Sequence, residues 1–179
     1  MNFGNLAEKE NIKVVISDFD GVFTDGTGIV DSCGNVSKKI NYQDVLAIAL
    51  LLKFGIKTAI ITGEHSGAVD YLKKNFPELT VFQNIKNKLP VVKDYVSSLG
   101  LSGKNILYIG DDVNDAEALM YSGIRVTVPN ANRIIKNIKG IIVTEKSGGH
   151  GVVREVTDAL VGERIKTVFC NGELNEQVY

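Results

Sequence analysis

Val14-Val15-Ile16-Ser17-Asp18-Phe19-Asp20-Gly21-Val22-Phe23-Thr24-Asp25-Gly26 sets the reading of the whole chain. A short apolar, β-branched run ends abruptly in two carboxylates one residue apart, followed by glycine and threonine. The run before the break reads as a buried strand of a parallel sheet. Ligand sites of open α/β sheets lie just beyond the carboxyl ends of such strands. Two acids at that place are costly unless a cation, a substrate or chemistry compensates them.

The remaining composition narrows the class. A chain of 179 residues is expected to form one domain and to bury roughly 70% of its unfolded surface. Its net charge of −1 gives no electrostatic reason to expect nucleic acid or membrane as a partner. Residues 1–9 are polar and lack the apolar centre of a signal peptide. No apolar stretch approaches the roughly 18 residues of a spanning helix. Cys33 and Cys170 are far apart without metal-ligand spacing, so free thiols in a reducing cytoplasm are expected.

Further strand candidates recur at residues 57–61, 80–82, 106–109, 125–128 and 141–143. Helical patterns lie between and after them at 44–54, 67–76, 88–99, 115–121, 133–136 and 152–161. This alternation predicts an α/β fold with a doubly wound, mostly parallel sheet. One interruption stands out. Gly28-Ile29-Val30-Asp31 and Val36-Ser37-Lys38-Lys39-Ile40 flank Ser32-Cys33-Gly34-Asn35, which reads as a β-hairpin flap over residues 26–40. It follows the two-acid strand directly and is expected to stand beside the site. The polar stretch 162–179 reads as a C-terminal tail.

Three other strand ends carry polar groups. Thr62-Gly63 follows Ile60-Ile61 and offers a hydroxyl and a backbone N–H to a phosphate oxygen. Asn87-Lys88-Leu89 opens a helix with a cation. Gly110-Asp111-Asp112-Val113-Asn114-Asp115 follows Ile109 with three carboxylates. Singly, each has a plainer explanation: a helix-entry residue, a solvated lysine, helix caps.

Together and in this order, these segments resemble the four motifs of the haloacid dehalogenase (HAD) superfamily, across roughly residues 13 to 116. A two-component receiver domain uses similar groups, but its chain order differs. The resemblance implies a Mg²⁺-dependent phosphatase. Asp18 would be the nucleophile and Asp20 the acid/base; Thr62 and Lys88 would hold the transferring phosphoryl group. The metal would lie on Asp18, the Asp20 backbone carbonyl and Asp111, with Asp115 or Asp112 holding metal-bound water. Carboxylate attack divides a very slow hydrolysis into two steps, and an anion attacking a dianion needs Mg²⁺ and lysine to offset the charge.

Neither interval between these motifs has room for a cap domain. The finer pattern, including Gly148-Gly149-His150-Gly151-Val152-Val153-Arg154-Glu155, resembles the capless 3-deoxy-D-manno-octulosonate (KDO) 8-phosphate phosphatase family. Its relatives include nine-carbon ulosonate 9-phosphate phosphatases and the C-terminal domains of some acylneuraminate cytidylyltransferases. That resemblance implies a phosphorylated sugar acid as substrate, with Thr62, Glu64, Lys88, His150 and Arg154 binding it. It also implies a homo-oligomer, a tetramer by family pattern, in which neighbouring subunits cover one another's sites. Three positions depart from the family: Gln43, Glu64 and His150 stand where arginine is typical. Lost arginine forks bind a carboxylate less well, so the expectation shifts from KDO 8-phosphate toward a larger or different sugar acid. His65 and His150 read as polar loop residues rather than metal ligands. The rival readings are a catalytically quiet oligomerisation domain, associated with sialic acid or KDO activation, and a phosphoryl transferase between sugars. Retention of Asp18, Asp20, Lys88 and Asp111 favours catalysis over the first, and the missing cap argues against the second.

Overall fold

The computed structural model describes residues 11–170, with the side chains of the last two outside the description. Six strands form one parallel sheet: β1 (Val14–Ser17), β4 (Lys57–Ile61), β5 (Thr80–Phe82), β6 (Ile106–Ile109), β7 (Ile124–Thr127) and β8 (Ile141–Val143). Their order is β5-β4-β1-β6-β7-β8. The chain therefore builds outward from β1 on one side, then returns to build on the other. Val14 to Ser17 are all buried, as are Ile106 to Ile109, because helices cover both faces of the sheet. This explains why these strands read as unbroken apolar runs rather than alternating ones.

Alternate side chains of β1 serve two separate cores. Val15 faces a cluster with Ala47, Ile48 and Leu51 of helix α1 (Tyr42–Lys53), Val69 and Leu72 of α2 (Gly67–Asn75), and Val153 and Val156 of α6 (Val152–Cys170). Val14 and Ile16 face the other cluster, with Val92 and Val96 of α3 (Lys88–Ser98), Leu119 of α4 (Ala116–Tyr121) and Ile135 of α5 (Arg133–Lys136). Ser17 pairs in register with both Ile60 and Ile109. The three central strands thus end level, and the polar residues that follow them open on one edge at the switch point of the sheet.

Several boundaries differ from the sequence reading. β1, for which the sequence suggests residues 14–19, ends at Ser17, because Phe19 is buried and its carbonyl accepts from the amides of Val22, Phe23 and Thr24. Helix α1 begins at Tyr42, where the Asn41 side chain accepts from the Gln43 amide. The segment 162–179 read as a tail is helical to Cys170, since α6 continues through Gly162; residues 171–179 lie outside the described residues. Only the hairpin of β2 (Ile29–Val30) and β3 (Val36–Ser37) stands between β1 and α1. Cys33, at its turn, is an exposed free thiol, and Cys170 falls outside the described side chains. Among the described residues no helix is long and apolar enough to cross a membrane.

One buried acid ties the two helices of the first layer. Asp44, in the first turn of α1, is fully buried, and its Oδ1 accepts from the Arg154 amide at the start of α6. Its Oδ2 has no hydrogen-bond partner. Burial pushes this carboxyl up to about 6, against the backbone N–H groups of Arg154, Val153 and Gly151. Between its unfolded and folded pKa values, the native protein keeps a proton the unfolded chain has lost, so stability falls as pH rises through that window. Asp44→Asn removes this titration. The stability of wild type relative to the variant should drop by roughly 2–3 kcal/mol from about pH 4 to about pH 7, read from urea midpoints. A difference that stays flat would show that the buried charge costs nothing.

Candidate active site

The site grows from the level ends of β1, β4 and β6. Asp18 leaves β1 while its amide still donates to Ile109 O, so its side chain is placed by the sheet itself. Its Oδ1 accepts from the Phe19 amide at 2.6 Å and its Oδ2 pairs with Lys88 Nζ at 2.7 Å. Lys88 opens α3 and is fully buried, with its ammonium shared between Asp18 and Asp115 Oδ1, each at 2.7 Å. Asp115 is fully buried as well. Tyr108 OH donates to its Oδ1, and the amides of Asp111 and Asp112 donate to its Oδ2.

The electrostatics follow from that count. One ammonium faces Asp18, Asp115 and, just beyond, Asp111. Burial, then the Asp115 charge, pushes Asp18 up to about 8 despite Lys88. Burial, then Asp115 and Asp112, pushes Asp111 up to about 7. Burial opposes the Lys88 charge, but Asp115 and Asp18 outweigh it and hold the ammonium above its ordinary range. Carboxylate oxygens of Asp18, Asp111 and Asp115 lie within 4.8 Å of one another. An all-oxygen donor set with surplus negative charge fits Mg²⁺. Asp18, Asp111 and Asp115 are the residues that could hold it, although the oxygens of Asp18 and Asp115 also carry hydrogen bonds and ion pairs within the protein. Asp115 also organises the loop and Lys88, while Asp112 is exposed and accepts from Asn132 Nδ2.

The remaining expected residues divide sharply. Asp18, Asp20, Thr62, Glu64, Asp111 and Asp112 all line one open cleft of about 460 Å³. Thr62 is buried at the end of β4, its amide bonded to Phe82 O and its carbonyl to the Ile85 amide. Asp20 accepts from Thr24 Oγ1 at 3.2 Å, and the Thr24 hydroxyl also accepts from the amides of Gly21 and Gly26, which locks the loop. Gly21 has φ +76°, and a Cβ there would collide with the Asp111 carboxylate.

Two expected substrate residues are not brought to the cleft. His150 is exposed, with its Nδ1 2.7 Å from Gly148 O. Arg154 Nε is paired with Asp158 at 2.8 Å, one turn along α6. The glycine-rich stretch around them has a structural task instead. The Gly149 amide donates to Val22 O, and a Cβ on Gly148 would collide with the Gly21 carbonyl. Only glycine permits this close approach, which supports the Asp20 loop from behind.

Three residues that the sequence reading passed over belong to the site. Lys38, in the flap, pairs with Asp20 Oδ2 at 2.7 Å. Lys86 lines the cleft beside Gly63. Tyr108 anchors Asp115. Lys38 was hidden by its neighbour Lys39, since a lysine pair in a hairpin reads as a solvated surface. A tyrosine among the aliphatic residues of β6 was the available signal for a buried hydroxyl.

Comparison with known proteins agrees with this geometry. Residues 59–156 match a family model described as haloacid dehalogenase-like hydrolase. The chain is 33% identical over 171 residues to the 3-deoxy-D-manno-octulosonate 8-phosphate phosphatase of Escherichia coli K12, covering 96% of this chain and 87% of that protein. The crystal structure of 3-deoxy-D-manno-octulosonate 8-phosphate phosphatase from Moraxella catarrhalis, in complex with magnesium ion, phosphate ion and KDO, superposes with a TM-score of 0.85 at 31% identity, covering 94% of this chain and 97% of that one. The cobalt-bound phosphatase from Haemophilus influenzae gives 0.84 at 30% identity, over 94% of this chain and 99% of that one.

The raised carboxyls make metal binding compete with protons. Asp18 near 8 and Asp111 near 7 must both lose protons to hold Mg²⁺. Mg²⁺ affinity should therefore weaken by at least about tenfold between about pH 8 and about pH 6, measured by calorimetry or by the Mg²⁺-induced rise in melting temperature. Affinity constant across that interval would show that both groups are ionised before the metal arrives.

Proposed function

The chain belongs to the haloacid dehalogenase-like hydrolases, and from that premise and its cleft we infer a Mg²⁺-dependent phosphatase that hydrolyses a phosphorylated sugar acid. The observation that carries the mechanism is the buried carboxylate of Asp18, aimed from β1 into the cleft and paired with Lys88 beside Asp111. Hydrolysis of a phosphate monoester requires on the order of 20 kcal/mol of barrier reduction or more. Asp18 Oδ attacks phosphorus and displaces the sugar oxygen, giving an aspartyl phosphate that water then cleaves. Asp20 gives its proton to the leaving oxygen and afterwards takes one from the attacking water. Lys88, already fixed by Asp115, keeps positive charge at the nucleophile, and the Thr62 hydroxyl and following backbone hold phosphoryl oxygens. Asp18 and Asp111 would hold Mg²⁺, which when bound would supply the positive charge that lets an anion approach a dianion.

Glu64 stands on the cleft wall where the family pattern has arginine, and offers an acceptor to hydroxyl or amine groups in place of a cation, which leans away from KDO 8-phosphate toward a larger or different sugar acid such as a nine-carbon ulosonate 9-phosphate. His150, outside the cleft, adds nothing to that preference. Kinetics of wild type and Asp18→Asn on both compounds test this reading. Wild type should turn over both, with KDO 8-phosphate trailing by about tenfold, the value of one charge-assisted contact. Asp18→Asn should be inactive on either while remaining folded and, without metal, more resistant to urea. Substantial turnover by a folded Asp18→Asn sample would exclude the covalent mechanism, and KDO 8-phosphate ranked first would reverse the preference.

The same reading extends to assembly. Ile29, Val30 and Val36 of the flap are exposed by 74%, 64% and 59%. They form an apolar strand edge that a monomer would leave in water. We propose that identical subunits bury it, in a tetramer whose neighbours shelter one another's clefts. Ile29→Glu with Val30→Glu should dissociate the assembly in sedimentation and lower kcat/KM together. A monomeric wild type with full activity would refute the proposal.

A further inference from the structure

Sugar acids carry two anionic ends, and the phosphatase reading accounts for only one of them. Phosphate goes to Asp18, with Thr62 and Asp111 on the same cleft and Lys88 buried behind Asp18. The carboxylate must lie elsewhere in a cleft whose walls already carry Asp20, Glu64 and Asp112. In such surroundings a second anion is repelled unless a cation meets it.

The cations of the cleft are not equivalent. Lys88 is buried beneath the site between Asp18 and Asp115. Lys38 is committed to Asp20 at 2.7 Å, with its side chain only 12% exposed. Lys86 has no ion pair or hydrogen bond among the described residues and is exposed to the cleft. Its position is nevertheless set by the fold. The Ile85 amide donates to Thr62 O at 3.0 Å, and Asn84 takes φ +60°, which turns the loop after β5 back toward the end of β4. The Lys86 ammonium consequently lies beside Gly63, 3.7 Å from where a Cβ would stand. Lys86 thus belongs to the β4 and β5 wall of the cleft that also carries Glu64.

We infer that Lys86 receives the substrate's carboxylate and is the specificity residue that distinguishes sugar-acid phosphates from uncharged sugar phosphates. It supplies from the β5 loop the positive charge that Glu64 does not supply from the β4 loop. Glu64 beside it is then free to accept from the substrate's hydroxyl or amine groups. The inference rests on the phosphatase reading above and concerns substrate recognition alone.

The test compares wild type, Lys86→Met and Lys86→Arg on KDO 8-phosphate, a nine-carbon ulosonate 9-phosphate and p-nitrophenyl phosphate, which has no carboxylate. Lys86→Met should lose at least about tenfold more kcat/KM on the two carboxylated substrates than on p-nitrophenyl phosphate, with the loss in KM rather than kcat. Lys86→Arg should recover most of it. Equal losses on all three substrates would assign Lys86 to the phosphate and overturn the inference. Unchanged kinetics on the carboxylated pair, with wild type active on them, would overturn it while leaving the phosphatase reading intact. A wild type that cleaves p-nitrophenyl phosphate but neither sugar acid would overturn both.

Discussion

The buried ammonium of Lys88, held at 2.7 Å by both Asp18 and Asp115, is the interaction on which the site depends. Removing Lys88 would leave Asp18 and Asp115 deep in the protein without their cation, and uncompensated buried charge is far more costly than matched charge. The arrangement is already unbalanced in that direction. One cation serves three carboxylates, and burial together with the Asp115 charge holds Asp18 and Asp111 well above their ordinary pKa values. The protein alone cannot satisfy that excess. A divalent cation can, which makes the site a metal receptor assembled in advance by the end of a rigid sheet.

The backbone makes this crowding possible. Gly21 lets Asp111 approach the nucleophile loop, and Gly148 lets a distant segment lie directly against Gly21. Thr24 ties the loop's amides from inside, while the Gly149 amide holds Val22 from outside. The start of α6 is in turn fixed by Asp44 of α1. Residues far apart in the chain are thereby linked into one support for Asp20.

The flap works by a different principle. It is tied to the body by the Lys38–Asp20 pair, a partly exposed pair of modest intrinsic worth, while Ile29, Val30 and Val36 leave it apolar and exposed. Whatever orders the hairpin also orders Lys38, the partner of Asp20, so the assembly proposed above would act on that residue. A fold without a cap needs such a device, because an acyl phosphate open to bulk water loses control over its hydrolysis.

The local sequence determined much of this protein. Apolar runs of strand length, glycine punctuation and acids at strand ends indicated a parallel α/β sheet with Asp18, Thr62, Lys88 and Asp111 near its carboxyl edge, and they meet there. Such patterns are readable because burial on both faces and polar residues at a break are properties of short stretches of chain. Tertiary structure alone decided the rest. It left His150 and Arg154 off the cleft lining, engaged both oxygens of Asp115, one of them through Tyr108, and brought Lys38 and Lys86 to the cleft. Nothing in a run of residues states which of two lysines two positions apart is buried, or whether a glycine stretch binds a ligand or supports a loop. Those outcomes depend on which distant atoms arrive beside them, and that is settled only when the two layers close over the sheet.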